Sequence, residues 1–184
     1  EAYSIAIVCA EFFGQAAFRP PIKIFATDVN DTLIDKARIG IYPPNIAADV
    51  APGRLRRFFT RVENGYQISK TIRDMCIFAR QDMVKDPPFS RLDLISCRNA
   101  IIYFGPALHK KLFPVLHYAL REGGFLLLGI SESVGVFSNL FHLVDKKHKI
   151  YTKKAVLTPL IPRLAAGEFE AAALEINGRS EQTS

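Results

Sequence analysis

Three short segments carry the side chains best suited to chemistry. Asp28 closes the alternating run Ile22-Lys23-Ile24-Phe25-Ala26-Thr27 and precedes Asp31–Ala37, which reads as a helix with an acidic first turn. In open α/β sheets ligands gather at the carboxyl ends of strands, where an acidic side chain commonly holds ribose hydroxyls; the competing reading of Asp28 is a helix N-cap. Cys97-Arg98-Asn99 follows the central strand at Leu92–Ser96 and precedes Ile101-Ile102-Tyr103-Phe104, which places it on the same rim as Asp28. An Arg, an Asn and a Tyr brought together supply donors for a carboxylate and an aromatic face for a cation, against the plainer reading of a loop with an exposed Arg. Ser131-Glu132-Ser133 follows a third strand, Phe125–Gly129, and by itself reads as a turn.

Other chemistries find little support. His109, His117, His142 and His148 are scattered and form no nucleophile-and-acid arrangement. Cys9, Cys76 and Cys97 are odd in number and far apart, which argues against a disulfide framework or a zinc site and suits reduced thiols in a cytoplasmic protein. Neither a P-loop nor G-x-G-x-x-G is present. The 184 residues fit one domain with a tail, and 49% hydrophobic residues allow a sizeable core. No apolar run approaches the ~18 residues of a membrane span, so no membrane insertion is expected. Of the net charge of +6, part clusters at Arg54–Arg61 and Lys146–Lys154, as a solvated face or as attraction to an acidic partner.

The elements that must position these residues alternate in α/β fashion. Residues 2–13 suit a buried helix ended by Gly14, and Pro20-Pro21 breaks the chain before the strand that leads to Asp28. Residues 42–53, with Pro43, Pro44, Pro52 and Gly53, read as loop with a short helical turn. Arg57–Val62 and Gly65–Ile68 read as a hairpin about Asn64-Gly65, with Met75–Phe78 as a third strand. Pro106 opens a helix with Leu108, Leu112, Leu116 and Leu120 on one face and Pro114 inside it, closed by Gly123-Gly124. Val144 and Ile150-Tyr151 flank a polar Asp145–Lys149 turn and predict a terminal hairpin, followed by a linker-like tail from about residue 155, with a short helix around Glu168–Ile176.

Seven segments in order resemble the CheR methyltransferase family across residues 1–154. They are Glu1-Ala2-Tyr3-Ser4-Ile5-Ala6, Phe25-Ala26-Thr27-Asp28, Ala37-Arg38-Ile39-Gly40-Ile41-Tyr42, Asp86-Pro87-Pro88-Phe89, Asp93-Leu94-Ile95-Ser96-Cys97-Arg98-Asn99, Ile102-Tyr103-Phe104 and Leu128-Gly129-Ile130-Ser131-Glu132-Ser133. The resemblance implies a Rossmann-like class I S-adenosylmethionine methyltransferase sheet, truncated at its N-terminus. It also implies a small antiparallel insertion at about 55–80 that corresponds to the receptor-docking subdomain, and a linker at 155–184. The Phe141–Lys154 ending resembles versions fused to a methylesterase and to sensory PAS modules.

The implied reaction is methyl transfer from S-adenosyl-L-methionine to glutamate side chains of chemotaxis receptors, leaving S-adenosyl-L-homocysteine, in the cytoplasm and without nucleic acid. By position, Glu1 and Asp28 contact the cofactor, with Asp28 on the ribose. Arg98 and Asn99 line the methionine end, and Tyr103 lies near the transferred methyl. Asp82-Met83 falls beside the adenine, where the family usually has Asn-Leu. The acidic tip at Asp28 and the Arg98–Tyr103 pair are expected to converge on one nucleoside-sized hollow. The family's Gly-containing cofactor loop lies upstream of Glu1, so this stretch alone is expected to bind cofactor poorly. A catalytically inactive CheR-like scaffold is the main alternative; a Rossmann oxidoreductase fits Asp28 but does not call for the Cys97–Phe104 segment, and a base-flipping methyltransferase calls for a basic groove that these diffuse clusters do not suggest.

Overall fold

The structure is a computed structural model that describes residues 1–14 and 20–159. The chain divides into two compact units, Glu1–Asp82 and Met83 onward.

In the first unit, α1 (Ala2–Phe13) buries Tyr3, Ala6 and Ile7, and β1 (Ile24–Asp28) leads to α2 (Asp31–Ile39). Asn30 caps α2 by accepting the Leu33 amide at 3.3 Å, and Gly40 ends it with a left-handed φ of 65°. A small antiparallel sheet follows, in the order β2 (Ile41–Tyr42), β4 (Gly65–Ile68), β3 (Phe59–Val62), with α3 (Ile46–Asp49) and α4 (Pro52–Phe58) ahead of β3. The hairpin expected at Asn64-Gly65 is present, but of the two residues only Gly65 has positive φ, 143°. A Cβ there would stand 2.0 Å from the Tyr42 carbonyl oxygen, so the close approach of β2 requires glycine.

Two expectations need correction here. Arg57 and Phe58 belong to α4, not to the strand, because Pro52 at the first helical position starts a helix that runs to Phe58. The third strand of the antiparallel sheet is β2. The Met75–Phe78 run instead becomes β5 (Cys76–Arg80), which pairs in parallel with β1 from Ile24↔Cys76 to Asp28↔Arg80 after α5 (Lys70–Arg73). Arg38 ties α2 to β5 by donating to the Phe78 carbonyl from Nε and Nη2 at 3.3 and 2.9 Å. The Tyr3 hydroxyl donates to the Ala37 carbonyl at 2.7 Å, and burial pushes its pKa up to about 12. Tyr3, Ile68 and Ile72 centre this unit's core.

The second unit holds a four-stranded sheet in the order β6 (Leu92–Cys97), β7 (Leu120–Leu128), β9 (Ile150–Lys153), β8 (Phe141–Asp145). β6 and β7 are parallel and joined through a 3-10 turn at Ile101–Tyr103 and α6 (Pro106–Ala119); β8 and β9 form the expected closing hairpin. Leu112 and Leu116 of α6 are buried with Phe113, Leu126 and Leu128. Gly123-Gly124 does not close α6. The helix stops at Ala119, and both glycines lie inside β7, where pairing jumps from Leu92↔Leu120 to Leu94↔Phe125. Glycine in a strand marks such a bulge, and Gly123 adopts φ 71° there. The expected helix around 168–176 lies outside the described residues.

His117 is fully buried: Lys154 O lies 3.1 Å from its Nε2, and Thr158 Oγ1 lies 2.8 Å from its Nδ1. Burial lowers its pKa below the ordinary 6.5, so the unfolded chain binds a proton that the folded chain resists. The stability this supplies is complete above the unfolded value and is lost as pH falls through the lower folded value. His117→Phe should therefore flatten the fall in thermal midpoint expected of the wild type below pH 6.5, checked by melting curves of both proteins across pH 4.5–8.

Candidate functional site

Each unit brings part of the expected site residues to the carboxyl ends of a parallel strand pair. In the first unit Asp28 ends β1, and Asp82 lies two residues past Arg80, the end of β5. The Gln81 amide donates to the Asp28 carbonyl at 3.0 Å, which locks the two ends together. The half-buried Asp28 carboxylate accepts the Asn30 amide on Oδ1 at 2.8 Å. The cap of α2 is Asn30, so Asp28 is not an N-cap. Glu1 is the N-cap residue of α1, with its carbonyl accepting the Ile5 amide at 3.0 Å and no capping bond from its side chain.

In the second unit Arg98 is the first residue after β6 and Gly129 the first after β7, on paired strands whose last rungs, Ser96↔Leu127 and Cys97↔Leu128, lie side by side. Arg98, Asn99 and Tyr103 are exposed on one loop; Tyr103 is 80% accessible. Asn99 takes a left-handed φ of 57°, which Asn tolerates better than most residues. Met83 packs against this unit's core, so it is partly structural.

What holds the loop is Glu132, whose surrounding sequence by itself reads as a turn. It is only 4% exposed, and its carboxylate accepts four backbone N–H groups: Asn99 at 3.0 Å and Gly129 at 2.6 Å on Oε2, Ile101 at 2.8 Å and Ile102 at 3.3 Å on Oε1. A buried carboxylate with four donors is a satisfied charge, not a chance turn. His109 reaches the Ile101 carbonyl with Nε2 at 3.0 Å, which holds the same turn from its other side.

A family profile described as CheR methyltransferase, SAM binding domain, matches residues 1–150. This chain belongs to that family. An uncharacterized 104.1 kDa protein in the hypE 3′ region of Rhodobacter capsulatus is 40% identical over 151 residues, covering 82% of this chain and 16% of the relative. Chemotaxis protein methyltransferase 1 of Vibrio cholerae serotype O1 is 32% identical over 149 residues, covering 78% and 54%. A chemotaxis protein methyltransferase of Borreliella burgdorferi is 27% identical over 152 residues, covering 81% and 54%. The chain thus spans about half the length of the curated chemotaxis relatives, and far less of the Rhodobacter protein.

The CheR domain has the Rossmann-like α/β fold of class I methyltransferases, and its cofactor is S-adenosylmethionine. The donor set fits parts of that molecule. The half-buried Asp28 carboxylate at a strand end suits a ribose diol. Arg98 and Asn99, exposed at the end of β6, suit an amino-acid end that bears both charges. Among the described residues no cluster of His, Cys, Asp and Glu fits a metal ion, and no helix is long and apolar enough to cross a membrane.

Part of the basic cluster at Arg54–Arg61 is internally matched. Arg54 grips Glu11 through Nε and Nη2 at 2.9 and 2.7 Å, and Arg57 lies 4.8 Å over the Phe58 ring.

Proposed function

We propose that the full protein carrying this domain methylates glutamate side chains of a chemotaxis receptor, or of a similar signalling protein, in the cytoplasm. The observation that carries the reading is the Arg98–Tyr103 loop at the end of β6, held there by Glu132, in a chain of the CheR family. The Vibrio and Borreliella relatives are named chemotaxis protein methyltransferases, which supports methyl transfer in chemotaxis.

Bound S-adenosylmethionine supplies an electrophilic methyl on a sulfonium that leaves as a thioether. A glutamate acceptor is already ionised near neutral pH, so the protein needs no general base. Its work is alignment and exclusion of water. Asp28 takes the ribose hydroxyls, Glu1 a further cofactor contact, and Asp82-Met83 the adenine side. Asn99 contacts the methionine end, which it shares with Arg98. Arg98 also orients the incoming carboxylate through paired hydrogen bonds, loosely enough to leave it nucleophilic. Tyr103 turns its ring or hydroxyl toward the cationic centre. The three-stranded antiparallel sheet is the receptor-docking element, and methylesterase and PAS modules in the same chain are consistent with the 104.1 kDa size of the Rhodobacter relative.

The product identifies the reaction. Incubating the full-length protein with methyl-labelled cofactor and receptor cytoplasmic fragments should give label that mild base releases as methanol, because glutamate methyl esters hydrolyse there and methylated amines do not. Base-stable label, or none, would defeat the reading; a parent that binds cofactor and labels nothing would be the inactive scaffold.

A further inference from the structure

We infer that Glu132 is the positioning residue of the methionine-end loop: an internal anion that fills the amide nest of residues 99–102, so that side chains and not backbone N–H groups recognise the amino-acid end of the cofactor. The inference rests on the proposed assignment of that end to the Arg98–Asn99 loop.

Successive N–H groups converging at the end of a parallel strand form an anion-binding concavity. Here that concavity is already occupied. Oε1 takes the Ile101 and Ile102 amides, Oε2 takes Asn99, and the bond from Gly129 fastens the end of β7 to the same carboxylate. A ligand carboxylate would have to expel a side chain that is almost wholly buried. The side-chain donors at this strand end are those of Arg98 and Asn99, and their aim depends on the backbone that Glu132 holds, including the left-handed Asn99.

The geometry also explains Gly129. A Cβ at that position would stand 2.7 Å from Glu132 Oε2 and 3.1 Å from the Asn99 nitrogen, so any side chain there pushes the carboxylate out of the nest. Two different changes therefore disturb one arrangement. Glu132→Gln presents an NH2 group to one of the two donor pairs whichever way the amide turns. Gly129→Ala keeps the carboxylate and displaces it.

Both variants are to be made in the full-length protein. For each, the expected result is a KM for S-adenosylmethionine raised by about tenfold or more, with the acceptor KM within about twofold of wild type. Amide hydrogen exchange at residues 99, 101, 102 and 129 should be faster in both. Simple destabilisation lowers the active fraction and kcat without this selective rise in one KM. An unchanged cofactor KM in both variants, or unchanged exchange at those amides, overturns the inference. If Glu132→Gln does not fold, Gly129→Ala decides on the same two readouts. If the parent binds S-adenosylhomocysteine but methylates nothing, the proposed function fails, and the tenfold criterion is read instead on the dissociation constant of that ligand.

Discussion

Arg98→Ala in the full-length protein should lower kcat/KM for methyl transfer by about a hundredfold, the order expected when a positioning contact near the reacting atoms is lost. Arg98 is exposed and directly follows β6, so its removal opens no core cavity, and the melting temperature should stay within a few degrees of wild type. Arg98→Lys keeps the charge but loses the planar fork that pairs with both oxygens of a carboxylate, and should recover only a small part of the rate. Steady-state kinetics with receptor fragment as the varied substrate tests this directly. A rate within about threefold of wild type in Arg98→Ala would remove Arg98 from the chemistry.

The strands were readable where composition and pattern agreed. Leu92–Cys97, with Leu92, Leu94 and Ile95, and the apolar run Phe125–Leu128 become neighbouring parallel strands, as Leu94↔Phe125 through Cys97↔Leu128. The destination of a strand was less legible. Met75–Phe78 sits close in sequence to the hairpin, yet β5 pairs with β1, more than 45 residues upstream, by the register Ile24↔Cys76. Local spacing cannot tell a meander from a crossover. Gly123-Gly124 misled for a related reason: the same pair that ends a helix also makes a bulge, and the backbone of Leu120 decides between them by entering the extended region at ψ 139°.

Motif residues likewise divide between architecture and chemistry in a way that sequence does not mark. Tyr3, Arg38 and Gly40 stand in segments that signal the family, yet Tyr3 and Arg38 spend their polar groups on the Ala37 and Phe78 carbonyls, and Gly40 caps α2. The role of Glu132 is hidden in the sequence for the opposite reason. Three of its four partners lie some 30 residues upstream, and all four are backbone N–H groups, which leave no trace in side-chain identity. The available signal was a glycine immediately after an apolar strand with an acidic residue three positions on, in register with a second loop-bearing strand end.

Phe113→Ala should cost about 3–5 kcal/mol of stability in the second unit, the range for truncating a buried aromatic side chain. Phe113 is 1% exposed; its ring stacks on Phe137 with centroids 4.8 Å apart and meets Phe141 edge-on at 6.2 Å. Leu108→Ala, in the exposed first turn of the same α6, should cost about 1 kcal/mol or less, since little packing is lost and Ala favours helix. The contrast bears on function because Ile101 belongs to the core cluster that contains Phe113, and its amide is one that Glu132 holds. Hollowing that cluster should loosen the Arg98–Tyr103 loop from beneath, while Glu132→Gln loosens it from the side. Hydrogen exchange separates the two routes: Phe113→Ala should speed exchange in β6 and β7 along with the loop, and Glu132→Gln in the loop and at Gly129 alone. Acceleration in β6 and β7 with no change in the loop in Phe113→Ala would show that the core and the loop are anchored independently.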